Sequence, residues 1–378
     1  MTSASRPLVA FVSDAQEYAG AEHYMIVIVE ALRDRYEFVV VHGEDASDET
    51  RAKAVAGGAK TVPVAGLRRR PAPTATVRMW RCLRDLQPAI VHVNASDQGG
   101  GGTGLSAARF AGTPLLTTLH NVIPRRSWLK ESLSRVMLRQ ADEVIAVSDR
   151  LGRYLEHIRA SHVVVKNGLL APRLDPLARR RLELADGDLV VGGIGRLHRQ
   201  KGWDVFCRAA AIVHGSGSAV KFVVIGDGPE RQVLRRLPEC KHVTFVGHIV
   251  DASSLLGAFD LLVIPSRYEG LGLVAIEGML SGVPILATDI EGLVEVVADC
   301  GRIVPAEDPE RLAEAIVELA HDGEERRALA VRAQARAARL FTAERMVAET
   351  AAVYESLLSG RKRYPGGRRR RKRRGRSR

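Results

Sequence analysis

Residues 261–277 read LLVIPSRYEGLGLVAIE, and the order of residue types in this stretch decides the fold. Leu261 to Ile264 is a short apolar run that suits a strand buried on both faces of a parallel sheet. Pro265 ends it. Gly270 and Gly272 let the backbone turn and come close to a ligand, and a helix opens behind them. Strand, glycine turn and helix in that order form the unit of a doubly wound α/β sheet, where ligands bind beyond the carboxyl ends of the strands. The free N–H groups at the helix start favour an anion. Glu269 sits before the glycines and Glu277 lies two turns into the helix. A carboxylate in so apolar a helix needs a partner, and sugar or ribose hydroxyls would supply one.

A second stretch has the same design. Residues 195–202 read GRLHRQKG, following the apolar run Val190 to Ile194 and preceding a helical pattern. Arg196 and Lys201 bring two cations to one strand end. Two cations with backbone amides suit a diphosphate and would neutralise a leaving nucleoside diphosphate. Other nucleotide fingerprints fail. Gly193-Ile194-Gly195 lacks the third glycine of a dinucleotide loop, because position 198 is histidine, and Gly226-Asp227-Gly228 fails likewise. Gly99 to Gly102 is followed by no Gly-Lys-Ser/Thr, so it is not a P-loop. Asp186-Gly187-Asp188 reads as a polar turn before a strand.

Outward from these stretches the alternation continues in both directions. Strands are expected at Leu8 to Val12, Glu37 to Val41, Thr61 to Val62, Ile90 to Val93, Leu115 to Thr118, Val144 to Val147 and Val163 to Val165. The second half adds Val190 to Ile194, Lys221 to Ile225, Val243 to Val246, Leu261 to Ile264, Ile285 to Ala287 and Arg302 to Val304. Amphipathic helical stretches separate them, and three more, near 309–320, 324–338 and 342–358, close the pattern. Pro172, Pro176 and an Arg179-Arg180-Arg181 run place a linker in Asn167 to Arg181. The expected fold is α/β, with two Rossmann-like doubly wound domains facing each other across a cleft.

The chain has 378 residues, which agrees with two domains. Its formal net charge of +12 invites a nucleic-acid or membrane reading. However, residues 361–378 alone hold 12 of the 56 basic residues and no acidic one, so the remaining chain carries 44 of each sign. That tail lacks the apolar content to fold and is expected to be disordered. Specific nucleic-acid binding is therefore not expected; contact of the tail with an anionic membrane and a solvated tail without a specific partner are the two options. No apolar run approaches the roughly 20 residues of a membrane span, and Leu8 to Val12 is too short for a signal-peptide core. Cys82, Cys207, Cys240 and Cys300 have neither zinc nor redox spacing, so a reduced, cytoplasmic chain is expected.

With these motifs in place, the second half resembles the donor-binding domain of the family-4 retaining glycosyltransferases, which have the GT-B fold. Glu269 and Glu277 match the family's pair of glutamates separated by seven residues. Gly195 to Gly202 matches its Gly-Arg-Leu-x-x-x-Lys-Gly loop in full. Softer matches are Gly226-Asp227-Gly228-Pro229, Phe245-Val246-Gly247, Ser281-Gly282-Val283-Pro284, and Gly292 with Glu295. In the first half, Thr118-Leu119-His120 resembles the family's Thr-x-His. Ala19-Gly20-Ala21-Glu22 resembles its Gly-Gly-x-Glu loop, with Ala19 replacing the first glycine. Glu291 stands where a glycine is more usual.

The resemblance implies roles. Arg196 and Lys201 would hold the donor diphosphate and stabilise the leaving group. Glu277 would hold the ribose hydroxyls, and Glu269 and His120 would contact the transferred sugar. Gly20, Gly226 and the amides of Gly270, Leu271, Gly272 and Leu273 would help bind the donor. The implied domains are an acceptor-side domain at 1–170, a nucleotide-sugar donor domain at 171–341, a helix at 342–360 packing back toward the first domain, and the basic tail. The implied activity is retaining, metal-independent hexosyl transfer from a UDP- or GDP-sugar to a hydroxyl acceptor, with no cofactor. A cell-surface glycan, a glycolipid and a secondary metabolite are the acceptor options, the acceptor being lipid-linked in one of them, and polysaccharide biosynthesis is the expected setting. The expected location is cytoplasmic, with peripheral contact at the inner membrane face as an option. The competing reading is an inactive GT-B protein that binds membrane or nucleic acid through its tail.

Overall fold

The computed structural model describes residues 6–67, 73–122 and 128–360. The tail at 361–378, the Arg68–Arg70 run, Arg125 and Arg126 lie outside the described residues. The chain divides into two compact units. One is Met1–Lys166 together with the segment from Met346 onward, and the other is Asn167–Arg345.

The first unit runs β1 (Leu8–Ser13), α1 (Gly20–Leu32), β2 (Glu37–Gly43), α2 (Asp48–Ala56), β3 (Lys60–Val64), α3 (Pro73–Leu86), β4 (Ile90–Ala95), α4 (Gly102–Ala111), β5 (Leu115–Leu119), α5 (Trp128–Leu138), β6 (Glu143–Ala146), α6 (Asp149–His157) and β7 (His162–Val164). Among the described residues its strands form one parallel sheet in the order β3-β2-β1-β4-β5-β6-β7. Helices cover both faces, so strand residues such as Val9 to Val12 are almost wholly buried. The strand order reverses between β1 and β4, and that is where such sheets bind ligands.

The second unit runs α7 (Ala178–Arg181), β8 (Val190–Ile194), α8 (Trp203–Gly215), β9 (Lys221–Ile225), α9 (Arg231–Arg236), β10 (Val243–Gly247), β11 (Leu261–Ile264), α10 (Leu273–Leu280), β12 (Ile285–Thr288), α11 (Glu291–Val297), β13 (Arg302–Val304), α12 (Pro309–His321) and α13 (Gly323–Leu340). Its parallel sheet has the order β10-β9-β8-β11-β12-β13, with the switch point between β8 and β11. The two stretches that decided the fold follow those two strands. One apolar cluster packs α8 and α12 on this sheet, and another packs α10, α11 and α13.

A last helix, α14 (Ala343–Leu358), carries the chain from the second unit into the first. Met346, Thr350, Ala351, Val353 and Tyr354 are buried, and the apolar ones join the cluster that holds Phe11, Tyr24 and Met25. Tyr354 is fully buried, a contribution of about 2–3 kcal/mol from its apolar body.

The stretch Asn167 to Arg181, read from the sequence as the linker, begins the second unit and is anchored within it. The Leu169 N–H donates to the Phe341 carbonyl (2.9 Å), and the Leu169 carbonyl accepts from Ala343 (3.1 Å). Arg179 donates to the Ala185 and Asp188 carbonyls and pairs with Asp260 (2.9 Å). The prolines limit helix length there but leave these anchors intact. The cysteines differ from expectation. Cys207 on α8 and Cys240 in the 3-10 turn Pro238–His242 are joined as a disulfide, with Cα atoms 4.8 Å apart. Their 33-residue separation carries no local signal, because the tertiary packing of that turn on α8 makes the pair. Cys82 and Cys300 are free thiols.

Candidate active site

The two stretches at the second switch point are stitched into one surface. The Arg267 N–H donates to the Gln200 carbonyl (2.7 Å), and the Gln200 side-chain amide donates to the Tyr268 carbonyl (2.9 Å). Gly202 takes a left-handed conformation (φ +68°), and a Cβ there would overlap the Pro265 carbonyl, so only glycine lets the loops meet. Gly226 presses on the Gly195 carbonyl in the same way. Gly226 thus braces the 195–202 loop from the end of β9, and Leu197 is tied to Asp227 by its N–H (2.9 Å).

Charged side chains sit on this scaffold. Lys201 Nζ donates to Glu269 Oε1 at 2.6 Å, and Ser266 Oγ donates to the same oxygen at 2.8 Å. Thr288 Oγ1 in turn donates to the Ser266 carbonyl (2.6 Å). Arg196 is exposed at the same strand end, its carbonyl accepting from Trp203 Nε1 (2.9 Å). Arg267 forms a two-pronged pair with Asp204 at the start of α8 (2.8 and 2.9 Å) and donates to the Arg199 carbonyl (2.8 Å).

The helix behind the glycines supplies the second carboxylate. Gly272 precedes α10 in a left-handed conformation, and Leu271 packs into the core. Glu277 is only partly exposed, and burial pushes its pKa up to about 7, with Asp251 adding to the rise and Lys201 opposing it. Among the described residues no group hydrogen-bonds its carboxyl. A buried acid without a partner is costly, and ligand hydroxyls would relieve that cost.

The first unit has a different cluster at its own switch point. Register places Asn94 beside Thr118, and the His120 N–H donates to the Ala95 carbonyl (3.0 Å). His120 Nε2 lies 2.9 Å from Asn94 Oδ1, and Asn94 Nδ2 donates to the Ala21 carbonyl (2.9 Å). Burial pushes the His120 pKa down to about 3, so the ring is neutral. Beside it, His92 bonds to Tyr354 Oη (2.8 Å) and Thr118 Oγ1 (2.7 Å), and Thr118 reaches Tyr24 Oη (3.3 Å). Tyr24 lies 3.2 Å from Thr350 and meets His120 edge-on. Gly20 begins α1 after an extended Ala19 that supplies no side-chain cap. Glu22 is buried rather than a solvated first-turn charge. It accepts from Ser13 Oγ (3.1 Å), and burial raises its pKa.

A family model described as glycosyl transferases group 1 matches residues 188–322, and one described as glycosyltransferase family 4 matches residues 18–169. LpsB, a lipopolysaccharide core biosynthesis mannosyltransferase of Rhizobium meliloti (strain 1021), is 31% identical over 245 residues, spanning 60% of this chain and 68% of that protein. The chain belongs to glycosyltransferase family 4. This glycosyltransferase is also 27% identical over 353 residues to a GDP-mannose-dependent alpha-mannosyltransferase of Mycobacterium tuberculosis (strain CDC 1551 / Oshkosh), covering 86% of this chain and 90% of that one. Its fold is that of Anabaena HepE in complex with UDP and glucose. The TM-score is 0.80 at 21% identity, over 93% of this chain and 100% of that one. WaaG, a glycosyltransferase involved in lipopolysaccharide biosynthesis, shares the fold with a TM-score of 0.71 at 16% identity, over 92% of this chain and 99% of that one.

In this family 4 glycosyltransferase, Arg196, Lys201, Glu269 and Glu277 fall on one sheet edge, while Gly20 and His120 fall on the edge of the other sheet. Sequence reasoning passed over Ser266, Arg267 and Gln200, although all three lie inside the two quoted stretches. It assigned no partner to Asn94, because nothing local links strand β4 to His120.

Proposed function

We propose that the enzyme transfers a hexosyl group from a UDP- or GDP-sugar to a hydroxyl acceptor with retention of anomeric configuration, and without a metal. The observation that carries this reading is the second switch point, where two cations, two carboxylates and a helix start meet on one stitched surface. Arg196 and Lys201 neutralise the diphosphate as it leaves. Lys201 already holds Glu269, so the pair places a cation for the phosphate beside a carboxylate for the sugar. Glu277 takes the ribose hydroxyls, which donate to its ionised form. The leaving phosphate accepts the proton of the incoming hydroxyl on the same face of the sugar, and the protein supplies charge stabilisation and orientation. HepE, described in complex with UDP-glucose, supports the donor class. The mannosyltransferase relatives support a sugar-chain acceptor. They do not favour an inactive protein acting through its tail.

The exposed Trp128, Leu129, Leu133 and Val136 on α5 favour a lipid-linked acceptor met at an anionic membrane surface on the cytoplasmic side. Among the described residues no helix is long and apolar enough to cross a membrane. The test is donor turnover with Glu277→Ala and Lys201→Ala, together with a thermal-shift screen of UDP, GDP and their sugars. Wild-type transfer by both variants would sink the site assignment.

A further inference from the structure

Asn94 has one orientation in which both ends of its amide are satisfied. Its Nδ2 donates to the Ala21 carbonyl, which can only accept. Turning the amide over would set two oxygens against each other. Oδ1 therefore faces His120, and an oxygen 2.9 Å from Nε2 needs a proton on that nitrogen. The ring is neutral: among the described residues no carboxylate or other acceptor lies at hydrogen-bond distance of Nδ1 to hold an imidazolium, and poor access to water acts in the same direction. A neutral imidazole with Nε2–H has a bare Nδ1. Among the described residues no group hydrogen-bonds that nitrogen.

His92, one strand over, shows the contrast. Both of its nitrogens are engaged, by Tyr354 and by Thr118, and it is fully buried. It is a closed structural histidine, whereas His120 is partly exposed at the strand end and has one nitrogen still open. Asn94 also joins three elements at one point: β4, which carries it, the end of β5, and the first turn of α1 beside Gly20.

We infer that Asn94 is a positioning residue for the transfer reaction: locked by the Ala21 carbonyl, it holds His120 in the Nε2–H tautomer and presents Nδ1 as an acceptor for a substrate hydroxyl. The role of His120 toward the sugar rests on the function proposed above, whereas the hold of Asn94 on the ring does not. The geometry sets the direction of the hydrogen bond. Nδ1 accepts a hydrogen bond from a substrate hydroxyl, with no proton transferred, and the ring donates none to the substrate.

The test uses the full chain labelled with nitrogen-15 histidine. The ring signals of His120, identified by their loss in His120→Asn, report the tautomer directly. The wild type is expected to be the neutral Nε2–H form at pH 7. In Asn94→Ala the two tautomers mix, kcat falls about 10–100-fold, as when an outer partner orienting a histidine is removed, and the donor KM changes little. In Asn94→Asp one carboxylate oxygen accepts the same Nε2 proton and restores the tautomer, while the other replaces Nδ2 and loses the hydrogen bond to the Ala21 carbonyl. The carboxylate also stabilises the imidazolium, so kcat acquires a decline on the acid side that the wild type lacks. A purely structural asparagine would show neither the tautomer change nor the new pH dependence. Persistence of the Nε2–H form in Asn94→Ala overturns the inference, as do wild-type kcat and pH profiles in both variants. If Asn94→Ala does not fold, the pH profile of Asn94→Asp decides. Wild-type transfer by His120→Ala would remove the catalytic consequence together with the proposed role of His120, while the ring signals still decide whether Asn94 holds the tautomer.

Discussion

At the switch point of the second sheet, charge is set against charge: Lys201 against Glu269, Arg267 against Asp204. At the switch point of the first sheet, the groups around His120 are neutral: His92, Asn94, Thr118, Tyr24, Thr350 and Tyr354. The buried carboxylates Asp14 and Glu22 lie at the end of β1 and the start of α1. Both sites occupy the same place in the same kind of sheet, so topology chooses the location and side-chain chemistry chooses the ligand. A leaving diphosphate demands cations, which must be paired to be held partly buried. A hydroxyl demands only a correctly placed donor or acceptor, and a neutral network in low dielectric places one firmly.

The largest effect should come from the charged side. Lys201→Ala should lower kcat/KM for the donor by about 10²–10³-fold, the usual loss when one group stabilising a developing charge is removed. Any fall in the thermal midpoint should depend on salt, because Glu269, whose side chain is 10% exposed, loses its cation and keeps Ser266. On the neutral side the pattern should invert. His92→Phe removes the hydrogen bonds to Thr118 and Tyr354; Thr118 keeps Tyr24, whereas the buried Tyr354 hydroxyl is orphaned at a cost of about 1–3 kcal/mol. Thermal unfolding of that variant should show a clear drop that is insensitive to added salt. An unchanged midpoint would mean that the network does not hold α14 to the first unit.

The contrast was only half legible beforehand. The central strands among the described residues could be read, because runs such as Leu261–Ile264 are buried on both faces and are therefore apolar throughout. Lys201 and Glu269 could be read because glycines and charges at strand ends are local signals. Their partners could not. Arg267 and Asp204 are 63 residues apart, and His92 and Tyr354 are 262 apart. Those pairs are made by sheet order and by the return of α14, which no local pattern encodes. His92 and Asn94 break an otherwise apolar strand, and that break was the available clue to a polar network on one face.

A smaller effect tests Glu277, whose carboxyl has no hydrogen-bond partner among the described residues. The Glu277 pKa of about 7 lies above the usual value of 4.5, so the folded state holds the proton longer than the unfolded one. This group is neutral to stability below about pH 4, and its penalty grows as pH rises from about 4.5 to 7 and is then constant. Glu277→Gln removes the penalty and should stabilise the protein at pH 8 by about 1–3 kcal/mol, with no gain at pH 4. Calorimetry at the two pH values checks this. Hydroxyl donors favour the ionised form, so wild-type affinity for a nucleoside diphosphate should rise from pH 6 to 8. Glu277→Gln should bind it more weakly and without that slope. A variant more stable and equally tight at every pH would show that Glu277 does not meet the ribose.

The smallest effect concerns the stitching. Arg267 bridges Asp204, Glu307 and the Arg199 carbonyl, and it joins the two donor stretches without being expected to touch the donor. Its planar fork fits the Asp204 carboxylate, which lysine cannot match. Arg267→Lys keeps the charge and loses the fork, so the 195–202 and 265–272 loops should separate slightly. A donor KM raised about fivefold to tenfold, with kcat nearly kept, corresponds to roughly 1–1.4 kcal/mol of lost binding common to ground and transition states. The salt dependence of KM should stay as in the wild type, because the number of cations facing the donor is unchanged. If kcat fell instead, as for Lys201→Ala, Arg267 would belong with the groups that stabilise the leaving diphosphate. The charged edge would then extend one residue further than the pairing of Arg267 with Asp204 implies.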